Sequence, residues 1–219
     1  TQPFGGGGYL ILIAALIISI ILSALFILLP LRIRRINISI RKDFKYIIYF
    51  FCLGFGFFFI EVPFIQKFIL LLGRPAYALA VVLFSIMFAG GMGSFVSSKF
   101  KIDLKWVVGV IVVYVALFIF TFGHAADFII SKALWQRFLY SILIIIPLGF
   151  VMGIPFPSAI TKVRKKRKEI IPWLWAINGC TSVVGSIAAV MISIQFGFFV
   201  VIGIAAGIYL VALAVYKYF

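Results

Sequence analysis

Long apolar runs constrain the fold of this chain more than any other feature of its sequence. The first, Tyr9 to Leu29, carries no charged side chain, and similar runs recur along the chain with short polar loops between them. A helix needs about 20 apolar residues to cross ~30 Å of hydrocarbon, and the runs are too continuous for the alternating strands of a membrane β-barrel. The sequence therefore predicts an all-α, polytopic transmembrane helical bundle.

Composition excludes a soluble globular protein. Hydrophobic residues make up 65% of the chain and charged residues only 11%, whereas about a quarter of the residues in a soluble domain are charged. The two cysteines, Cys52 and Cys180, fall inside apolar runs, so neither a disulfide framework nor a thiolate metal site is indicated. His124 and Asp127 are too few to form a metal site. No metal and no cofactor is predicted.

The apolar runs predict about seven spans in a single transmembrane domain that covers residues 1–219. The predicted spans lie at about residues 9–30, 46–65, 77–97, 106–123, 138–157, 171–195 and 198–216.

The loops differ sharply in charge, which predicts an orientation. Sixteen of the 20 Lys and Arg residues fall in loops on one side of the seven predicted spans. Only Lys67, Arg74, Lys132 and Arg137 fall on the other. Because basic loops are retained in the cytoplasm, we expect the N-terminus outside and the C-terminus in the cytoplasm. The expected location is the cell (inner) membrane, with multiple passes.

A cluster of basic residues precedes the sixth predicted span. Such a cluster attracts anionic lipid headgroups by ~1 kcal/mol per charge. We therefore expect membrane lipids on the cytoplasmic face as partners and no nucleic acid, although the net charge is +15. The residues predicted to contact anionic lipid are Lys162, Arg164, Lys165, Lys166, Arg167 and Lys168.

Glu61 stands inside the apolar stretch FFFIEVPFIQKF, near the predicted outer end of the second span. A charged side chain there costs a few kcal/mol unless it is paired, hydrated or protonated. Lys67 and Arg74 are the candidate charge partners, and the amide of Gln66 is close in sequence. Two alternatives stay open: a protonatable or cation-binding site within the bundle, or a polar clasp that holds a kink at Pro63.

Two later stretches carry further polar or irregular signals. PLGFVMGIPFP, residues 147–157, has three prolines and two glycines and predicts a broken or kinked helix. In the sixth span, Asn178 and Thr181 either bond another helix or line a polar cavity with Glu61. Small residues spaced one turn apart predict close helix packing. They are Gly149 with Gly153, Ser182 with Gly185 and Ser186, and Gly203 with Gly207.

Three motifs together resemble those of a known family: GFFFIEVPFIQKFILLLGRPAYALAVVLFSIMFAGGMGS, PLGFVMGIPFP and PWLWAINGCTSVVGS. Their order and spacing, over roughly residues 45–197, are similar to the membrane portion of bacterial and archaeal spermidine/spermine-synthase-like polytopic proteins. In that family a soluble aminopropyltransferase-like domain with a Rossmann-type fold commonly accompanies the helices. The opening TQPF resembles the end of such a domain. The acidic residues and the glycine-rich turn of the transferase have no counterparts here, so no catalytic residue is assigned.

Three functions remain as expectations. The first is a non-catalytic scaffold or anchor for a soluble polyamine-synthase-like domain or a larger membrane assembly, with Glu61, Gln66 and Asn178 as a buried polar cluster. The second is a small carrier or channel for a cationic solute, a polyamine or a proton, with Glu61 as its acidic site. The third is the membrane remnant of an aminopropyltransferase-like enzyme. A soluble domain or a partner subunit is the expected protein partner.

Overall fold

The structure, a computed structural model, describes residues 6–34, 40–100 and 102–219. These residues form helices and short connections, with no β-strand within the described ranges. The helices are α1 (Gly6–Arg34), α2 (Ile40–Leu72), α3 (Pro75–Lys99), α4 (Leu104–Ile130), α5 (Leu134–Met152), α6 (Pro155–Lys166), α7 (Ile171–Phe196) and α8 (Phe198–Tyr216), with a 3₁₀ turn at Lys168–Ile170 before α7. The predicted all-α fold is confirmed.

Seven segments are long and apolar enough to cross a membrane, as the sequence predicts. Five correspond to single helices, the fifth in order combines α5 and α6, and the sixth combines the 3₁₀ turn with α7. The chain is therefore a multi-pass membrane protein. The segments are Gly7–Ile27, Asp43–Leu72, Pro75–Lys99, Leu104–Ile130, Leu134–Lys166, Lys168–Phe196 and Phe198–Tyr216.

Helix α2 is longer than the predicted second span. Pro63 lies inside it, and the helix ends only at Leu72. Gly73 then adopts the left-handed conformation that commonly ends helices, with φ 75°, and Pro75 begins α3. Glu61 consequently lies eleven residues, about 16 Å, before the end of α2. The expectation that it stands near the outer end of the span is wrong.

The predicted interruption of the fifth span is confirmed. Helix α5 ends at Met152 and α6 begins at Pro155, because Pro155 and Pro157 lack the N–H groups that would continue the α5 hydrogen bonds. Proline at the first position of α6 is favourable, since that N–H has no partner within a helix. The hydroxyl of Tyr49 on α2 donates to the carbonyl oxygen of Pro155 over 3.1 Å. This bond holds the interrupted segment against the central helix.

Helix α2 is the centre of the bundle and packs against α7 and α8 along its length, and against α3. Its aromatic side chains form much of the core, with the rings of Phe64 and Phe118 stacked 4.3 Å apart between centroids. Helix α1 contacts the bundle mainly through α7. Only 6% of its most apolar window is buried, so most of its side chains face what would be lipid.

At two places neighbouring segments approach so closely that a β-carbon would not fit between them. A β-carbon at Gly54 of α2 would stand 2.6 Å from the Asn178 carbonyl oxygen of α7. A β-carbon at Gly153 would stand 2.7 Å from the Gly90 Cα of α3. In a membrane, where lipid is as apolar as a helix surface, such close contacts supply much of the packing energy. The predicted close packing at Gly149 and Gly153 is therefore confirmed.

The other predicted small-residue groups behave differently from one another. Gly185 of α7 packs against Phe55 of α2, whose Cα lies 3.3 Å from the position of a β-carbon. Gly203 and Gly207 of α8 meet nothing within 4 Å in the described part of the chain. Their predicted helix contact within this bundle is wrong, because both point outward.

Two ends of the bundle can be distinguished. At one end α1, α3, α6 and α8 finish and α2, α4 and α7 begin. We call it the basic end because the exposed side chains of Lys162, Arg164, Lys165, Lys166 and Lys168 lie there. At this end Arg167 Nη2 contacts Asp43 Oδ2 at 3.1 Å. The side chains at positions 32, 34, 35, 41, 42 and 101, on which part of the predicted charge asymmetry depends, lie outside the described residues. The orientation of the chain stays a prediction.

Candidate functional site

Glu61 is the acidic residue that sequence reasoning singled out, and it is enclosed by the bundle. Its side chain is only 4% exposed. Within the described part of the chain, neither Lys67 nor Arg74 forms an ion pair with it. The Glu61 carboxyl forms no hydrogen bond with a residue of the described ranges, so these residues do not provide the polar clasp proposed at Pro63. Glu61 is therefore buried at mid-helix without a compensating polar contact from those residues.

Lys67 and Arg74 contact aromatic rings instead. The Lys67 ammonium group lies 4.1 Å from the centroid of the Phe199 ring, and 5.5 Å from those of Phe122 and Phe198. A cation over ring faces is attracted by their negative charge density. Arg74 is exposed and lies 5.6 Å from the ring of Tyr77. Both cations lie toward the end of the bundle opposite the basic end.

Asn178 and Thr181 lie on α7 beside a different part of α2. The Asn178 Nδ2 group donates to the Phe50 carbonyl oxygen over 3.1 Å, which confirms the predicted bond to another helix. Phe50 precedes Glu61 by eleven residues, about 16 Å along α2. Thr181 donates to the Ile177 carbonyl oxygen of its own helix over 2.8 Å. The structure therefore does not bring Asn178 or Thr181 to Glu61.

Gln66, the fourth predicted site residue, is half-buried on α2. It stands five positions after Glu61, and at 3.6 residues per turn the two side chains leave the helix in different directions. The expected cluster of Glu61, Gln66 and Asn178 is not assembled. The polar groups are instead distributed along α2 and α7.

A cavity of about 380 Å³ lies where α2, α3, α7 and α8 meet the break between α5 and α6. Its walls are mostly apolar, and its polar side chains are Asn178, Ser182 and Tyr209. Glu61 does not line it, but Phe57 and Phe58, one turn earlier on α2, do. The remaining lining residues are Leu53, Ile86, Met87, Gly90, Met152, Gly153 and Phe156.

A second cavity, of about 200 Å³, lies between α4 and α5. The Tyr114 hydroxyl at its edge donates to the Ile144 carbonyl oxygen, close to the point where Pro147 interrupts the hydrogen bonding of α5. Apart from Thr121, the other lining residues are apolar. This cavity presents little polar chemistry to a ligand.

The basic cluster divides into one buried contact and several exposed side chains. Arg167 forms ion pairs with Asp43 at 3.1 Å and with Glu169 at 2.9 Å, and its contact with lipid stays a prediction. Lys162 lies 3.9 Å from the ring centroid of Tyr216 and is also exposed. The other members, Arg164, Lys165, Lys166 and Lys168, are exposed. Their contact with anionic lipid stays a prediction.

Two structurally important residues, Arg137 and Asp43, were not singled out from sequence. Arg137 donates to the Lys132 carbonyl oxygen over 2.9 Å, to that of Leu71 over 3.4 Å, and to that of Ile130. It thereby joins the ends of α2 and α4, where helix carbonyls lack intrahelical partners. Asp43 was also missed. A carboxylate three residues into a helix is an available signal, since it stabilises the positive N-terminal end.

The residues described in the structure contain no group of three or more His, Cys, Asp or Glu side chains that could hold a metal ion. Comparison of the chain with family models, with curated proteins and with solved structures found no match. The resemblance to spermidine/spermine-synthase-like membrane proteins therefore stays a prediction based on the three sequence motifs.

Proposed function

We propose that this chain is a membrane scaffold, a helical bundle that anchors and positions a soluble domain or partner subunits rather than performing chemistry itself. The observation that carries the proposal is the enclosure of Glu61. The one acidic residue at mid-helix in α2 is 4% exposed, and it lines neither of the two cavities described above. A transport site must be reachable by its solute, and only 4% of this residue is exposed.

The central helix supports the proposal. Among the largest fully buried side chains are Tyr49, Phe50, Phe64 and Phe68, all on α2. Closely packed interiors transmit force and resist deformation. Helix α2 contacts α3, α7 and α8 at once, and this packing favours a rigid bundle that can support a partner.

The basic end offers a place for such a partner. Asp43 and Arg167 tie the start of α2 to the connection between α6 and α7. Lys45 donates to the Tyr218 carbonyl oxygen, and the ring of Tyr46 packs on that of Phe219 at 4.7 Å between centroids. These contacts order the chain end that follows α8. An ordered surface surrounded by exposed lysines suits a soluble partner at the membrane.

A carrier of a cationic solute is the second candidate, and one observation favours it. Glu61 lacks a charge partner within the described ranges, and it stands one helical turn beyond Phe57 and Phe58 at the cavity wall. The carrier requires that movement of those two rings connect the cavity to the carboxyl. A polyamine or a proton would then be the solute expected from the sequence.

Transport in proteoliposomes separates the two candidates. Purified protein is reconstituted, and uptake of radiolabelled spermidine and of protons is measured for the wild type and for Glu61→Gln, with an imposed potential. The scaffold predicts no uptake above that of protein-free liposomes by either variant. Saturable uptake by the wild type that Glu61→Gln abolishes would reject the scaffold and establish the carrier.

Photo-crosslinking gives the scaffold a positive test. A benzoyl-phenylalanine placed at Phe44, which is 54% exposed near the basic end, is activated in native membranes. The scaffold predicts one discrete adduct, with a polypeptide that carries a Rossmann-type transferase domain. The same group placed at exposed Leu70, near the opposite end, is the control and should give none. Adducts with lipid alone at both positions would contradict the proposal.

A further inference from the structure

The cavity at the break between α5 and α6 has the depth, the size and the polar groups of a ligand site. Its lining residues lie at mid-helix: Leu53 is ten residues after Asp43, and Asn178 ten residues after Lys168, where their spans begin. Ten residues of helix measure about 15 Å. The polar side chains of the cavity are therefore at the depth of the hydrocarbon rather than of the headgroups.

The cavity opens to the side of the bundle. Met87 of α3, which lines it, is 70% exposed, so the opening faces the surroundings of the helices. The volume of about 380 Å³ corresponds to roughly a dozen atoms at the ~30 Å³ that one water occupies in the liquid. A molecule that enters from the bilayer can place its end group inside and leave its chain in the lipid.

The polar groups of the cavity can both accept and donate. The Asn178 side chain donates one Nδ2 hydrogen to the Phe50 carbonyl oxygen. Its second Nδ2 hydrogen and its side-chain oxygen remain available for a ligand. The Ser182 hydroxyl donates to the Asn178 carbonyl oxygen over 2.8 Å and can still accept. A helical carbonyl normally accepts a hydrogen bond from the N–H four residues later. The Gly153 carbonyl lacks this bond, because residue 157 is a proline and has no N–H. The Tyr209 hydroxyl supplies another donor and acceptor.

We propose that this cavity binds an apolar membrane molecule that carries a hydroxyl group, a lipophilic alcohol or phenol, which enters laterally between the helices. A hydroxyl is at once a donor and an acceptor and matches these groups. A phospholipid headgroup is excluded by depth, and an ammonium group in hydrocarbon pays a large desolvation cost. An ether or an alkane would leave the Asn178 oxygen without a donor. The site is independent of the scaffold role, because Glu61 takes no part in it.

Photolabelling tests the site. The protein is reconstituted in phosphatidylcholine nanodiscs with a decanol analogue that carries a diazirine and an alkyne. Competition is measured with unlabelled decanol and with its methyl ether. We expect adducts on peptides that contain Met87, Met152 or Phe156. Decanol should displace the probe about tenfold better than the ether, the effect of one hydrogen bond in a membrane.

Variants localise the effect. Met87→Trp places a large ring at the opening and should reduce labelling of the cavity peptides at least fivefold, roughly one kcal/mol in affinity. Met92→Trp, at an exposed position of the same helix that does not line the cavity, should leave labelling unchanged. Asn178→Leu should abolish the preference for decanol over the ether. Labelling spread evenly over lipid-facing helices, with alcohol and ether equivalent and Met87→Trp without effect, would overturn the proposal.

Discussion

Gly54 of α2 lies so close to Thr181 of α7 that a β-carbon at position 54 would overlap the threonine hydroxyl. The Asn178 carbonyl oxygen of the same α7 turn would stand 2.6 Å away. This contact brings the two backbones together near the cavity and next to the hydrogen bond between Asn178 and Phe50. It determines how the central helix sits against α7.

Gly54→Ala should therefore destabilise the bundle by about 3 kcal/mol or more, the upper part of the range for overpacking, because backbone must move. The measurement is reversible unfolding in mixed micelles. Gly109→Ala, where nothing lies within 4 Å of a new β-carbon, is the matched control and should change stability little. Thr181→Ala should rescue Gly54→Ala only in part, since the Asn178 carbonyl oxygen remains in the way. Equal stability of the two alanine variants would contradict the described packing.

The ion pair of Asp43 and Arg167 joins the start of α2 to the chain before α7. Asp43 is 1% exposed and Arg167 24%, so removal of the carboxylate leaves a half-buried cation. We expect Asp43→Ala to lower the free energy of unfolding by about 2–3 kcal/mol, less than for a fully buried pair. Asp127→Ala, at an exposed position, should cost under about 0.5 kcal/mol. A similar small cost for Asp43→Ala would show that the pair is not formed in the membrane.

The contact between Lys67 and Phe199 predicts an energetic coupling. With the ammonium group 4.1 Å from the ring centroid, a double-mutant cycle of Lys67→Met and Phe199→Leu should give about 0.5–1 kcal/mol. Methionine retains the apolar stem and removes the charge. The coupling is obtained from unfolding of the four proteins in mixed micelles. Strictly additive effects would place the Lys67 ammonium group away from the ring.

The hydroxyl of Tyr49 reaches the interrupted span through the Pro155 carbonyl oxygen. Tyr49→Phe should cost about 0.6–2 kcal/mol, the value of one interhelical hydrogen bond in a membrane, and should increase hydrogen exchange at the start of α6. Tyr218→Phe, on a side chain that is 73% exposed, serves as control. Unchanged exchange at Ser158 and the residues around it would contradict a role for Tyr49 in holding the break.

The sequence predicts the features that depend on local chemistry. Uncharged runs of helix length predict the seven spans, and the prolines at 147, 155 and 157 predict the break between α5 and α6. The end of the second span is misplaced because Lys67, the next charged residue after Glu61, resembles a polar residue of a loop. In the structure, Glu61 and Lys67 both lie within the central helix α2. Glu61 is buried, and the Lys67 ammonium group lies over the ring of Phe199.

The candidate site was harder to predict because its partners are distant in sequence. Asn178 donates to a backbone carbonyl 128 residues earlier. Every residue has a backbone carbonyl, so the sequence does not reveal which residue accepts this bond. The contact of Asp43 with Arg167 likewise depends on the arrangement of α2, α6 and α7. The cavity combines residues from six helices, and no spacing along the chain brings them together.

The most direct test of the account is the accessibility of residue 61. Glu61→Cys is made in a protein whose Cys52 and Cys180 are replaced by alanine, and a membrane-impermeant cationic thiol reagent is applied to both sides of proteoliposomes. We predict no modification of the folded protein, full modification after denaturation, and rapid modification of Arg74→Cys as the exposed control. Modification of the folded Glu61→Cys protein from either side, slowed by added spermidine, would contradict an enclosed carboxyl and establish a water-accessible cation path through the bundle.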